Sequence, residues 1–426
     1  SSDLYFFEGE WREMKQYNET IYVRGSDPVT ITIYETHHGV VLDYYNPQVF
    51  GGRSFRIPEN KRYALGWTGY IRNDTSLYNY FALFGRMDNA QDVINVWKDH
   101  VAPAFVFTFA VHNGDIGVLA LGKLPIRKYP SKSFIPKDGR FKENDWLGYI
   151  PWEDQPRLIN PKKGYIVNAN NKFATNNIKW YPTVTLYTSA RGKRIDEMIR
   201  EYIEKGKKIS VEETKVMQLD TLDILARDLS PLLIKYTKEA LKKGIKSSVG
   251  EKNITTMLNI LEKWDYRAPR DSIRASIFNV WEYYYVRKLL RKVGLQEQDW
   301  KAVIGNYKAE HFVFRKIFEW EKNPTDYKEY WCLNEQNEKM EYPCLYNILK
   351  SFDETWDYLQ KRIGPNITEW KWGKIHHNHY PHTPFSQTPL KPLFHRSHPM
   401  IGNGRTVGNS VIRAEADDLN GVVSSN

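Results

Sequence analysis

Cysteine is nearly missing from these 426 residues: only Cys332 and Cys344 are present. No apolar run approaches the roughly 20 residues that a membrane-spanning helix needs, so no membrane span is expected. A basic run interleaved with aromatics is also missing, and the net charge of +10 comes from 61 basic and 51 acidic residues scattered along the chain. That balance describes a mixed, solvated surface and argues against nucleic acid as a partner. Neither an internal repeat nor a linker rich in Gly, Ser or Pro is visible, which excludes a solenoid or a string of independent modules. No signal peptide opens the sequence, and a processed or truncated chain is expected.

What is abundant is aromatic. Phe, Tyr and Trp make up 14% of the chain, with 28 Tyr and 14 Trp, a load that fits large packed sheets and also acyl or carbohydrate pockets. The length allows two or three domains or one large enzyme-like unit. Eleven residues separate Cys332 from Cys344, a spacing that suits one local disulfide, the alternative being two free thiols in a reducing compartment. Sequons at Asn18, Asn73, Asn253 and Asn366 are candidate glycosylation sites. With the cysteine pair they point to an extracellular, periplasmic or secretory setting.

The period of the hydrophobic pattern changes along the chain. Thr20–Val23 and Val29–Tyr34 alternate as strands across the turn at Gly25–Pro28, and His38–Leu42 starts another. A helical stretch is expected around 76–100. Phe105–Phe109 and Ile116–Leu121 form a hairpin around His112-Asn113-Gly114-Asp115. From about 194 the period is helical: Ser210 with Glu213 is a capping box, and Ser230-Pro231 reads as a helix start with Pro at its first position. Helices continue through 251–264, 271–294 and 345–362. The organisation expected is one unit over 1–426, mainly sheet over 1–200, mainly helical over 201–365, and irregular over 366–426.

Asn160-Pro161-Lys162-Lys163-Gly164-Tyr165-Ile166-Val167-Asn168-Ala169-Asn170-Asn171 reads as a turn, a short strand and a polar end on two adjacent carboxamides. A neutral amide N–H at the rim of a sheet is a suitable donor to an oxyanion developing in acyl transfer, because it need not titrate. The same asparagines can simply close a turn.

Together with Trp146–Pro151 and Ser189–Ile195, this segment resembles, in order and spacing, the penicillin acylase family of N-terminal nucleophile hydrolases. Further matches are Thr36-x-His38-Gly39, Trp67, Asn113–Gly117, Gln218-Leu219-Asp220, Leu261-x-x-Trp264-Asp265, Trp372-Gly373-x-x-His376 and Gly402-Asn403-Gly404-x-Thr406-Val407. The resemblance implies an α+β fold, a four-layer αββα sandwich with a helical excursion, in a catalytic chain cut from a precursor that also yields a smaller partner chain. It implies hydrolysis of a small-molecule acyl amide. The hydroxyl of a chain-terminal Ser attacks the carbonyl while its own α-amine acts as base. No cofactor is required for that chemistry.

Residue by residue, Asn170 stands at the family's oxyanion-hole asparagine and Arg191 at an arginine of the site mouth, where a salt bridge at the strand-to-helix turn is the plainer role. Trp67 stands at an acyl-pocket aromatic, with core packing as its alternative. Asp3 matches a calcium-binding aspartate, with Ser2 nearby as a carbonyl ligand, so structural calcium is an expectation of the resemblance. Ser1-Ser2-Asp3-Leu4-Tyr5 does not resemble the family's Ser-Asn-x-Trp opening. Ser1 is therefore read as a point of truncation, the nucleophile is expected outside this chain, and the sequence after Asn426 is expected to be cut short too. The competing reading is a non-catalytic family member or an extracellular aromatic-rich glycan-binding protein. Zinc at the histidines 376–382, 395 and 398 fits no standard ligand spacing, and those residues read as a structural wrap. Asp145 with Glu153, and Glu212 with Glu213, read as solvated or capping carboxylates rather than a glycosidase pair.

Overall fold

A computed structural model of the chain describes residues 3–42, 62–71, 85, 87–129, 136–171, 190–292, 341–380, 382, 384–385 and 388–408. It divides into two compact units, Ser1–Tyr187 and Thr188–Asn426. Secondary structure is mixed helix and strand, and no helix among the described residues is long and apolar enough to cross a membrane.

The first unit is mostly antiparallel sheet. Strands β1 (Leu4–Phe7) and β2 (Glu10–Glu13) pair across Glu8 and Gly9, both at positive φ. β3 (Lys15–Ile21) pairs with β4 (Val29–Thr36) from Lys15↔Glu35 to Ile21↔Val29, so β3 begins and ends earlier than the alternation of Thr20–Val23 predicts. This ladder is largely exposed, and polar cross-strand pairs hold its face: Thr20 with Thr30 at 3.1 Å, Thr32 donating to Asn18 at 2.9 Å, and Tyr17 donating to Glu35 at 3.0 Å. β5 (Gly39–Val41) continues the sheet to β6 (Ala64–Leu65). Gly39 is required there: its φ is 128°, and a Cβ would lie 2.1 Å from the Leu65 carbonyl oxygen.

Helix α1 (Ala90–Trp97) lies within the stretch expected around 76–100, of which 76–84 and 86 lie outside the described residues. Its apolar face, Val93 and Trp97, packs on Leu119 and Leu121 of the hairpin β7 (Phe105–Ala110) and β8 (Ile116–Leu121). Trp97 meets Phe105 and Phe107 edge-on or tilted, with ring centroids 5.5 and 5.0 Å apart. The Asn113–Asp115 turn also anchors the helix, because Asp115 Oδ2 accepts the Ala90 N–H at 2.9 Å. β9 (Pro125–Arg127) pairs with β10 (Trp146–Tyr149), and β11 (Arg157–Ile159) pairs with β8. The strand expected over Tyr165–Asn168 is not formed. The ladder stops at Asn160, whose φ is 43° and whose N–H reaches the Ile116 carbonyl.

The second unit is mostly helical. It comprises α2 (Ala190–Glu204), α3 (Val211–Gln218), α4 (Ile224–Lys242), α5 (Glu251–Glu262), α6 (Ile273–Lys292) and α7 (Pro343–Ile363). The Ser210 and Glu213 capping box opens α3 as expected. Ser230-Pro231 starts no helix: α4 begins seven positions earlier, capped by Asp223, and Pro231 lies inside it. Leu229, Leu233, Leu258, Phe278, Trp281 and Phe352 share one core, and Trp281 Nε1 donates to the Ile348 carbonyl at 3.3 Å.

The C-terminal segment returns over this core as strands β12 (His377–Tyr380) and β13 (Arg396–Pro399), flanking the short α8 (Lys391–Phe394). Trp372 is fully buried and donates through Nε1 to the Gly402 carbonyl at 2.9 Å. Gly402 folds tightly enough that a Cβ would meet the Gly408 carbonyl oxygen at 1.9 Å.

Candidate functional site

Asn170 is exposed, directly after buried Ala169, and its backbone is left-handed with φ 64°. Asparagine is among the few side-chain-bearing residues that adopt this region at little cost. The turn is fixed by its neighbour: Asn171 Oδ1 accepts the Ala169 N–H at 2.8 Å, while its Nδ2 donates to the Val167 carbonyl at 3.3 Å. Further back, Asn168 donates to Thr108 of β7 at 3.0 Å. Asn160 Oδ1 accepts the Ile116 N–H and its Nδ2 donates to Asp115 at 2.7 Å. The two ends of the segment are thus tied to the same hairpin. Of the two asparagines, Asn171 closes the bend and Asn170 is the exposed one.

Arg191 is half-buried in the first turn of α2. The salt-bridge network near this helix start is built on Arg194. Its guanidinium contacts Asp220 at 3.0 and 3.2 Å and Glu197 at 3.5 Å, and Arg267 also reaches Asp220 at 2.8 Å. Asp220 belongs to the Gln218-Leu219-Asp220 motif. Burial alone would raise its carboxyl, but Arg194 and Arg267 outweigh this and hold it below the usual carboxylate range.

Trp67 is half exposed and packs edge-on against Tyr70 with centroids 5.3 Å apart, so it is not a core tryptophan. Asp3 is exposed, and its carbonyl accepts the Met14 N–H; Ser2 lies outside the described residues. Among the described residues Asp3 joins no group of three metal-ligating side chains.

Cys344 is buried in the first turn of α7 and carries no free thiol; Cys332 lies outside the described residues. Of the sequon asparagines, Asn18 and Asn366 are exposed, Asn253 lies in α5 with its amide donated to Val249, and Asn73 lies outside the described residues. In the C-terminal histidines, His379 and His395 face each other at 3.5 Å, but no three-ligand group forms there among the described residues. Glu213 caps α3 and Glu212 pairs with Lys215.

Two constellations were not foreseen. The first is a buried ion cluster in the second unit. Arg405 lies between Asp223, at 2.7 Å, and Glu282, at 2.7 and 2.8 Å, while Asn403 Nδ2 donates to Asp223 at 2.7 Å and to Asn279 at 3.1 Å. The signal for it was the polar Gly402–Val407 motif, which has no reason to be buried unless it carries partners. The second replaces the expected solvated role of Asp145. Its carboxylate faces His38 Nδ1 at 3.0 Å and His37 Nε2 at 3.5 Å. Burial, and then the neighbouring His38, lowers His37 below the usual histidine value despite the opposing pull of Asp145.

Comparison with known proteins sets these positions in a family. The family model for penicillin amidase matches residues 1–425. Penicillin G acylase of Escherichia coli is 23% identical over 398 residues, spanning 86% of this chain and 42% of that protein. Acyl-homoserine lactone acylase QuiP of Pseudomonas putida is 23% identical, spanning 88% of this chain and 44% of that protein. The chain therefore spans less than half the length of these relatives. The solved structure of a thermostable penicillin G acylase from Alcaligenes faecalis superposes with a TM-score of 0.65 at 18% identity, covering 94% of this chain and 71% of that one. Family model and fold agree with the order of motifs read from the sequence: the chain belongs to the penicillin amidase family.

Proposed function

We propose that this chain is part of an acylase that hydrolyses the amide joining an acyl group to an amine, and that Asn170 supplies a side-chain donor to the oxyanion. The names of the two relatives above point to penicillin G and to acyl-homoserine lactones; the chemistry common to both is an acyl group on an amide nitrogen, and that is the substrate class taken here. In this reading a serine hydroxyl outside the chain attacks the carbonyl, and that serine's own α-amine, with a pKa near 8, accepts the proton through a water. The Asn170 amide stabilises the tetrahedral intermediate, amine leaves, and water releases the acid. Arg191 orients the mouth of the site or a substrate carboxylate, and Trp67 lines the acyl pocket. An αββα core would carry the site.

One observation carries the proposal. Asn170 stands where the resemblance places the family's oxyanion-hole asparagine, and it is exposed in a left-handed turn. The test is Asn170→Ala in the complete, processed protein, assayed on a chromogenic acyl-anilide. The expected result is a fall in kcat of about 100- to 1000-fold. Wild-type turnover by that variant would defeat the proposal.

A further inference from the structure

His37, His38 and Asp145 converge from distant parts of the first unit. The two histidines form the turn between β4 and β5, and Asp145 immediately precedes β10. The three ligand atoms they offer lie within 4.8 Å of one another. Each imidazole is also held from behind. His38 Nε2 lies 2.8 Å from the Gly139 carbonyl oxygen, and His37 Nδ1 lies 3.0 Å from the Tyr5 hydroxyl.

A backbone carbonyl only accepts, so His38 Nε2 must carry its proton and donate it to Gly139. In a neutral ring that leaves Nδ1 with a lone pair, aimed at a carboxylate oxygen that also only accepts, 3.0 Å away. The Tyr5 hydroxyl can donate or accept, so His37 takes either tautomer; in the one that donates Nδ1–H to Tyr5, its Nε2 lone pair faces the other oxygen of the same carboxylate at 3.5 Å. Protonating both rings would stack two imidazolium ions with centroids 3.7 Å apart, which costs Coulomb energy. A single dication between the three atoms resolves every one of these contacts.

We propose that His37 Nε2, His38 Nδ1 and the Asp145 carboxylate form a binding site for a borderline divalent transition-metal ion of the zinc type. Zinc binds imidazole nitrogen and carboxylate oxygen at about 2.0–2.2 Å, so neighbouring ligand atoms in a tetrahedral shell stand about 3.4 Å apart. The two nitrogen–oxygen distances bracket that value. Gly139 and Tyr5 act as the outer partners that fix tautomer and ring orientation, the role such groups take behind metal-bound histidines. Two imidazoles and one carboxylate suit a borderline ion and not a hard, all-oxygen one such as calcium. The ion would tie the β4–β5 turn to the start of β10, and a solvent-facing fourth position would take water.

The test uses the whole chain prepared without an added polyhistidine segment and freed of metal, titrated with zinc alone by calorimetry and with cobalt(II) by visible absorption. One equivalent is expected to bind, with tetrahedral cobalt bands and a zinc-dependent rise in the thermal midpoint. His38→Gln and Asp145→Asn should each weaken binding by at least about 100-fold, and Tyr5→Phe by about tenfold. Should His38→Gln fail to fold, His37→Gln decides, because His37 is exposed and its replacement leaves the turn backbone intact. The paired substitution His379→Ala and His395→Ala should leave the one equivalent unchanged. The proposal is overturned if no zinc binds, or if binding survives loss of His37, His38 or Asp145 and disappears with His379 and His395.

Discussion

The Asp223 carboxylate is fully buried and accepts from three directions. Oδ1 takes the N–H groups of Leu225 and Ala226 at 3.0 and 3.1 Å, capping α4, while Oδ2 takes Arg405 and Asn403, each at 2.7 Å. Burial alone would raise this carboxyl; Arg405 first, then the hydrogen bonds, holds it below the ordinary range. Arg405 in turn reaches both oxygens of Glu282, so one guanidinium serves two buried carboxylates. Removing it takes that cation from both. Arg405→Met is expected to destabilise the second unit by roughly 3–5 kcal/mol, the cost of leaving an uncompensated buried charge. Urea unfolding followed on that unit measures it, and a loss under about 1 kcal/mol would show that the cluster relaxes or hydrates instead.

Helix α4 shows where local reading and tertiary packing part. Ser230-Pro231 is a sound local start signal, since Pro fits the first helical position. Yet Asp223 caps the helix seven residues earlier, and the intervening turns bury Ile224, Ala226 and Leu229. Core burial of about 1.5–3 kcal/mol per large side chain outweighs a proline inside the helix, which costs about 3 kcal/mol. That cost remains in the fold, so Pro231→Ala is expected to stabilise the second unit by about 1–2 kcal/mol, part of the gain being offset by a more flexible unfolded chain. An unchanged or lowered urea midpoint would count against this account.

Other elements were legible because their signals were strictly local: the Ser210 and Glu213 box, the alternation of Val29–Tyr34, and the turn residues between β7 and β8. The bend at Asn170 was legible for the same reason. The approach of Asp145 to two histidines was not, because spacing along the chain cannot set a distance. His38 meets Gly139 across 101 positions only through the intervening sheet. The strand expected at Tyr165–Asn168 failed in the converse way, with an alternating pattern that joins no ladder among the described residues.

Acid should unfold the second unit in two stages, and the sign of each follows from its groups. His376 is buried, stacked on Trp372 at 4.5 Å, and neither ring nitrogen has a hydrogen-bond partner. Burial, and then the charge of His377, lowers its pKa to about 3. The unfolded chain protonates this ring near pH 6.5 while the fold does not. Stability conferred by the neutral ring is therefore complete above about pH 6.5 and is lost as pH falls from there toward 3, at up to about 1.4 kcal/mol per pH unit. Asp220, Asp223 and Asp353 are depressed carboxylates, whose contribution is complete above the unfolded carboxylate value and is lost only from about pH 5 downward. Among the described groups of this unit with lowered values, His376 is the one whose loss falls between pH 6.5 and 5. His376→Phe keeps an aromatic ring on Trp372 and removes two orphaned polar atoms, so the variant should be at least as stable at pH 7. It should also lose almost nothing down to pH 5 and then fall with the wild type. Native-state hydrogen exchange of the buried α6 amides reads this unit alone. If protection there declines in parallel for both proteins between pH 6.5 and 5, the buried imidazole is not the group that opens the fold to acid.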